Sequence, residues 1–126
     1  SVFKVMEVIM PRQEPGEPYQ RINLDEAFTL HDQNDGVVID VRRPDEYEAG
    51  HVKGAISIPV DDMFSRIEEL PKDTKLLFIC AQGVRSGLAC EMVAAMGLGS
   101  DNLYNIEDGT PAWIDKGLPT SYGSDK

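Results

Sequence analysis

Two stretches of the chain are apolar almost without a break, residues 37–41 (Val-Val-Ile-Asp-Val) and 76–80 (Leu-Leu-Phe-Ile-Cys). Runs of this length predict strands covered on both faces, as in a parallel sheet. Shorter runs at residues 55–59 and 103–106 predict two more strands. Between them the apolar positions recur at helical spacing. Asn23-Leu24-Asp25-Glu26 has the form of a capped, acidic first turn, followed by Ala27 and Leu30 and a stop near Asp35-Gly36. A short helix is predicted from Pro44 to the stop at Gly50. An amphipathic helix is predicted over residues 60–70 through Met63, Ile67 and Leu70, and another over 86–96 through Leu88, Met92, Val93 and Met96, closed by Gly97. A last helix is predicted over 111–116, ahead of Gly117. Strands alternating with helices of this size predict the α/β class, with a central parallel sheet and helices on both faces. In such sheets ligands sit beyond the carboxyl ends of the strands.

The N-terminal part differs. Val2, Val5, Met6 and Ile9 recur at helical spacing, but their β-branched content also suits a strand. Residues 11–18 hold three prolines, Gly16 and three charged side chains, the composition of a linker. The expected organisation is an extension and linker over residues 1–18 and one domain over 19–126. The total of 126 residues is enough for one sizeable core. Ser1 in place of Met suggests that the chain is trimmed or excised.

Lys and Arg number 12 against 22 Asp and Glu, a net charge of −10, with the acids spread along the chain. This argues against nucleic acid or an anionic membrane as partner, since both need clustered cations. It also means that an anionic substrate needs a local cation or a nest of amides. Two cysteines, Cys80 and Cys90, make no disulfide framework and point to a reducing, cytoplasmic setting. Residues 1–10 carry Lys4 and Glu7 and match neither a signal peptide nor a membrane span.

Cys80 carries the candidate chemistry. A predicted strand delivers it into the short loop Ala81-Gln82-Gly83-Val84-Arg85-Ser86, and a helix follows. The ordinary thiol pKa of about 8.5 falls at helix N-termini and near cations, so this thiol is placed to be a nucleophile. Main-chain amides of a loop this short can converge on the sulfur as an anion nest, aided by the helix dipole. Gly83 permits a positive φ, Arg85 can brace the loop or face an anion, and Ser86 can cap the helix. Asp40 interrupts an apolar strand and needs a partner, either an amide or an arginine such as Arg42 or Arg85.

This loop resembles the active-site loop of rhodanese domains, which are sulfurtransferases. Two further segments are similar to the family's signatures and stand in the right order. One runs from Asp40-Val41-Arg42-Arg43-Pro44-Asp45-Glu46-Tyr47 to Gly50-His51-Val52-Lys53-Gly54-Ala55 and Ile58-Pro59. The other is Gly109-Thr110-Pro111-Ala112-Trp113 leading to Gly117-Leu118-Pro119. The resemblance implies a single rhodanese domain in which Cys80 accepts a sulfane sulfur, holds it as a persulfide and passes it to a thiophilic acceptor: cyanide, a thiol or a partner protein. It implies Cys80 as the catalytic residue, Ala81, Gln82, Gly83, Val84 and Arg85 as the substrate-binding loop, and Ser86, Asp40 and Arg42 as its support. It implies ping-pong kinetics and no metal or organic cofactor. Gln82 and Glu46 stand where thiosulfate-specialised relatives have cations, which makes a persulfide donor as suitable as thiosulfate. Asp108 replaces a frequent second glycine.

Two other functions compete. Cysteine phosphatases and arsenate reductases use a related loop with one more residue between Cys and Arg, giving a wider cup. A non-catalytic interaction module is the third reading, with residues 1–18 as its docking segment and the oligomeric state open. His51 and Trp113 are expected to be structural, Cys90 to fill the core, His31 to face solvent, and Met63 and Phe64 to form a docking rim if exposed.

Overall fold

The computed structural model describes residues 9–98 and 100–126. The helix-or-strand question over residues 2–9 lies, except for Ile9, outside the described residues. The elements in chain order are β1 (Gln20–Ile22), α1 (Leu24–Asp32), β2 (Val37–Asp40), α2 (Pro44–Ala49), β3 (His51–Val52), β4 (Ile56–Ser57), β5 (Leu76–Ile79), α3 (Val84–Ala95), β6 (Leu103–Ile106), α4 (Gly109–Asp115) and β7 (Thr120–Ser121). Five strands form a parallel sheet in the order β1-β6-β5-β2-β4, while β3 and β7 make a small antiparallel pair. The α/β architecture expected from the sequence is therefore present.

The apolar runs behave as strands because both faces are covered. In β5, Leu76 and Phe78 face a core shared with Ala89, Cys90 and Val93 of α3 and with Met63 and Leu70. Leu77 and Ile79 face the opposite core with Leu24, Ala27 and Leu30 of α1, Tyr47 of α2 and Trp113 of α4. Strand side chains alternate between faces, so a four-residue apolar run feeds two cores at once. The capping box at Asn23 forms as predicted: its side chain accepts from the Glu26 amide at 2.9 Å, and Glu26 accepts from the Asn23 amide at 2.8 Å.

Three local expectations are corrected. The helix over residues 60–70 is not formed; two 3-10 turns, Val60–Asp62 and Ile67–Glu69, take its place. Only Met63 and Leu70 are fully buried there, too narrow an apolar face for a packed helix, and local side-chain bonds compete with the helical ladder. The Ser65 hydroxyl donates to the Asp62 carbonyl at 3.0 Å, and Arg66 donates to the Ser57 carbonyl at 3.2 Å. Second, residues 11–18 do not run free of the domain. The Arg12 amide donates to the Arg21 carbonyl on β1 at 2.9 Å, and Glu17 receives both the Arg21 guanidinium and the Tyr19 hydroxyl. The Arg21 guanidinium holds the Glu17 carboxyl down at about 2 against the opposing effect of burial. Third, His31 does not face solvent freely: its Nε2 lies 2.7 Å from the Lys53 carbonyl and its ring meets Trp113 edge-on.

Candidate active site

Cys80 follows the last residue of β5, at the carboxyl end of the central strand of the sheet. The loop beyond it turns back within three residues and enters α3 at Val84. Gly83 makes this possible. It caps the helix at φ 89°, in the left-handed region, and a Cβ there would lie 2.8 Å from the Glu107 carbonyl oxygen. Its amide points back into the loop and donates to the Cys80 sulfur at 3.1 Å.

The thiol is 1 % exposed, yet the surrounding amides face it. Burial pushes the Cys80 thiol up, but the Ser86 hydroxyl and the amides of Ser86, Gln82 and Gly83 together outweigh it, and the thiol ends below its ordinary value. The Ser86 oxygen lies 3.3 Å from Sγ. Ser86 is not the helix cap anticipated from the sequence; Gly83 holds that position, and Ser86, in the first turn, points its side chain inward.

Arg85 braces the loop. Its guanidinium forms a fork on Glu46 of α2, with Nη1–Oε1 at 2.7 Å and Nη2–Oε2 at 3.0 Å. Arg85 hydrogen bonding holds the Glu46 carboxyl at about 2, against the upward push of partial burial. The only arginine of the loop is thus already matched by a carboxylate, and Arg43 is likewise engaged by Asp45 and Glu46. A depression of about 210 Å³ opens beside Arg85, lined by Val41, Arg43, Pro59, Val60 and Asp61. On the other side of the loop a groove of about 470 Å³ is lined by Tyr19, Arg21, Gln82, Gly83, Leu88 and Asn105 among others.

Asp40 and Arg42 are both buried and bond to each other through two donors, at 2.7 and 3.0 Å, with Arg42 also donating to the Gly50 carbonyl at 2.8 Å. They pin the end of β2 to the turn after α2 and, in the bonds they make, do not touch the loop itself. Gln82 and Val84 are exposed on its outer surface, and Ala81 is partly covered.

Residues that the sequence does not assign to the site, two of them in the Gly109-Thr110 signature, back the loop from behind. Thr110 donates its amide to the Cys80 carbonyl at 2.8 Å. Gly109, at φ 80°, lies so close to Ala81 that a Cβ would fall 2.0 Å from the Ala81 carbonyl oxygen. Asn105 of β6 donates through Nδ2 to the Gly83 carbonyl at 3.1 Å and accepts from the Ser86 hydroxyl at 2.5 Å. An Asn inside the strand Leu-Tyr-Asn-Ile was a signal of the same kind as Asp40 in β2. Asp108 needs no glycine conformation, at φ −85°, and its carboxylate accepts from the Leu24 amide at 2.7 Å.

Of the remaining side chains, His51 is buried, stacked on Tyr47 and bonded to the Tyr47 and Asp125 carbonyls, none of them in the Cys80 loop. Met63 is buried and forms no rim, whereas Phe64 is exposed. Among the described residues no group of three His, Cys, Asp or Glu side chains is placed to hold a metal ion, and no helix is long and apolar enough to cross a membrane.

Comparison with known proteins agrees with this architecture. The profile of the rhodanese-like domain matches residues 23–116. A protein of Allochromatium vinosum named sulfurtransferase is 33 % identical over 90 residues, which covers 71 % of this chain and 82 % of that one. The crystal structure of a rhodanese-related protein from Thermoplasma volcanium superposes with a TM-score of 0.71 at 32 % identity, covering 82 % of this chain and 98 % of that chain. A protein of unknown function from Rhodopseudomonas palustris, described as a possible tyrosine phosphatase, gives a TM-score of 0.68 at 30 % identity, covering 79 % and 82 % of the two chains.

Proposed function

Because the chain belongs to the rhodanese-like domain family, we propose that it is a sulfurtransferase that carries a sulfane sulfur on Cys80. The observation that supports this reading most directly is the amide of Gly83 aimed at a thiol held below its ordinary pKa. In the first half-reaction the Cys80 thiolate attacks the outer sulfur of a donor. An Sγ–S bond forms, and the donor's own bond to that sulfur breaks, its electron pair leaving with the donor as thiolate or sulfite. In the second, an acceptor such as a thiolate or cyanide attacks the outer sulfur, and the pair of the breaking Sγ–S bond returns to Sγ. The amides that stabilise the thiolate also face the charge of the persulfide, so one set of donors serves both steps.

The charge pairing narrows the donor. With Arg85 matched by Glu46 and Arg43 by Asp45 and Glu46, a dianion such as thiosulfate meets no free cation in the loop. A small-thiol or protein persulfide suits this mouth better, and a partner protein is a suitable acceptor. Cys80 is almost fully covered, so the outer sulfur gains its space by a shift of the loop.

Intact-mass analysis after exposure to a persulfide or thiosulfate, then to cyanide, tests the assignment. Gain and then loss of one sulfur atom on Cys80 is expected; a chain left unmodified by every sulfane donor rules it out. The phosphatase reading draws on the description of the Rhodopseudomonas palustris neighbour, but it needs a guanidinium free to hold an oxyanion, and Arg85 is engaged. Hydrolysis of an aryl phosphate that disappears in Cys80→Ser reverses this ranking.

A further inference from the structure

The Ser86 hydroxyl has one hydrogen and two claimants. The Cys80 sulfur lies 3.3 Å away on one side and Asn105 Oδ1 2.5 Å away on the other. Which atom of Asn105 faces Ser86 is fixed by its second bond: Nδ2 donates to the Gly83 carbonyl at 3.1 Å, and a flipped amide would set oxygen against oxygen there. All three side chains are buried, so no water competes at the hydroxyl itself. With its hydrogen on Oδ1, Ser86 presents only lone pairs to the sulfur, and a lone pair accepts from S–H but cannot stabilise S⁻.

We propose that Asn105 is a positioning residue that holds the Ser86 hydrogen away from Cys80 in the resting site and thereby opposes ionisation of the thiol. When the thiol loses its proton to solvent, the Ser86 hydroxyl turns its hydrogen from Oδ1 to Sγ, because the bond to a charged acceptor is the stronger. Oδ1 is then left without that donor, and the cost of the lost buried bond is what opposes ionisation. The S–H bond is the one covalent bond broken: its electron pair stays on the sulfur, its proton goes to solvent, and one hydroxyl rotates. Of the titratable and charged groups nearby, Arg85 is matched by Glu46, Asp40 by Arg42, and Glu107 by Arg12 and Arg21, while Tyr19 and Glu91 line the groove beside Asn105. Cys90, also close, stays neutral because burial pushes its thiol well up.

The test is the pH dependence of Cys80 alkylation by iodoacetamide in the full chain, read by peptide mass mapping. It concerns the thiol of the proposed transfer but does not require sulfur transfer, so the two readings fail separately. In Asn105→Leu and in the strand-compatible Asn105→Val, the alkylation midpoint moves down by about one pH unit. In Ser86→Ala it moves up, and in Ser86→Ala/Asn105→Leu it matches Ser86→Ala alone. A residue that merely shaped the loop through the Gly83 carbonyl would move the midpoint up when replaced, since the Gly83 amide would lose its aim. A midpoint unchanged or raised in a folded Asn105 variant, or an Asn105 effect that persists without Ser86, overturns the proposal. In the unsubstituted chain the Asn105 side-chain amide resonance follows the alkylation midpoint; a resonance flat across it overturns the proposal without any variant.

Discussion

Cys80 and Cys90 are both buried, at 1 % and 0 % exposure, and both face the same apolar core beneath α3. Burial acts on each in the same direction, raising the thiol. They part because of what else reaches the sulfur. Cys80 sits ahead of the helix, where amides of the loop and the Ser86 hydroxyl converge on it and carry it below its ordinary value. Cys90 lies mid-helix, where amides are spent on the i→i−4 ladder, and burial together with the Glu91 charge leaves it far above. The direction in which each thiol is shifted follows the donors that reach the sulfur rather than its access to solvent.

The sharpest break between the two is by replacement. Cys80→Ser removes sulfur loading and lowers transfer to cyanide by about a thousandfold or more. Cys90→Ala retains loading and costs only stability, about 1–2 kcal/mol by urea unfolding. Gly109→Ala attacks the contrast through the loop. Its Cβ would stand 2.0 Å from the Ala81 oxygen, so the loop must shift, stability falls by roughly 3 kcal/mol, and the Cys80 alkylation midpoint climbs toward that of a free thiol. Alkylation against pH separates the thiols in the unsubstituted chain. Because Cys80 is lowered, its thiolate is populated below the ordinary value of about 8.5, and its reaction rises with pH and levels off early. Cys90 reacts only after unfolding; equal reactivity in the native protein sinks the comparison. A smaller effect is expected from Glu46→Gln, which loosens Arg85, costs about 1 kcal/mol and raises the use of thiosulfate relative to a persulfide. The Glu46 carboxyl lies near 2 in the fold against 4.5 unperturbed, so its contribution is complete above pH 4.5 and is lost as pH falls through 2. Acid titration of stability in the variant lacks that component. The smallest effect on activity is expected from Thr110→Val, which leaves it unchanged and raises stability by about 1 kcal/mol, since among the described residues the buried Thr110 hydroxyl has no partner.

The parallel sheet was legible because residues 37–41 and 76–80 are apolar on both faces, a pattern no exposed element tolerates. Cys80 and its loop were legible for a local reason: a thiol, a glycine and an arginine stand within six consecutive positions, and the loop acts through its own backbone. The failures share a different cause. Over residues 60–70 the apolar spacing was helical, but spacing does not report how side chains such as Ser65 and Arg66 compete for the same backbone. Strand β1 is short and polar at Gln20 and Arg21, and it is held by β6, which lies more than eighty positions away. The partners of the loop are distant too. Glu46 on Arg85, Asn105 on Ser86 and Thr110 on Cys80 are meetings made by the fold. Only an out-of-place polar residue such as Asn105 in a strand hinted at them.

The tight fit of Gly109 against Ala81 has a consequence for biogenesis. The cup around the thiol is closed from behind by a stretch synthesised about thirty positions later, so a nascent chain that stops short of α4 carries the cysteine without its chemistry. A competent thiol is expected only once α4 has been made and packed behind the loop.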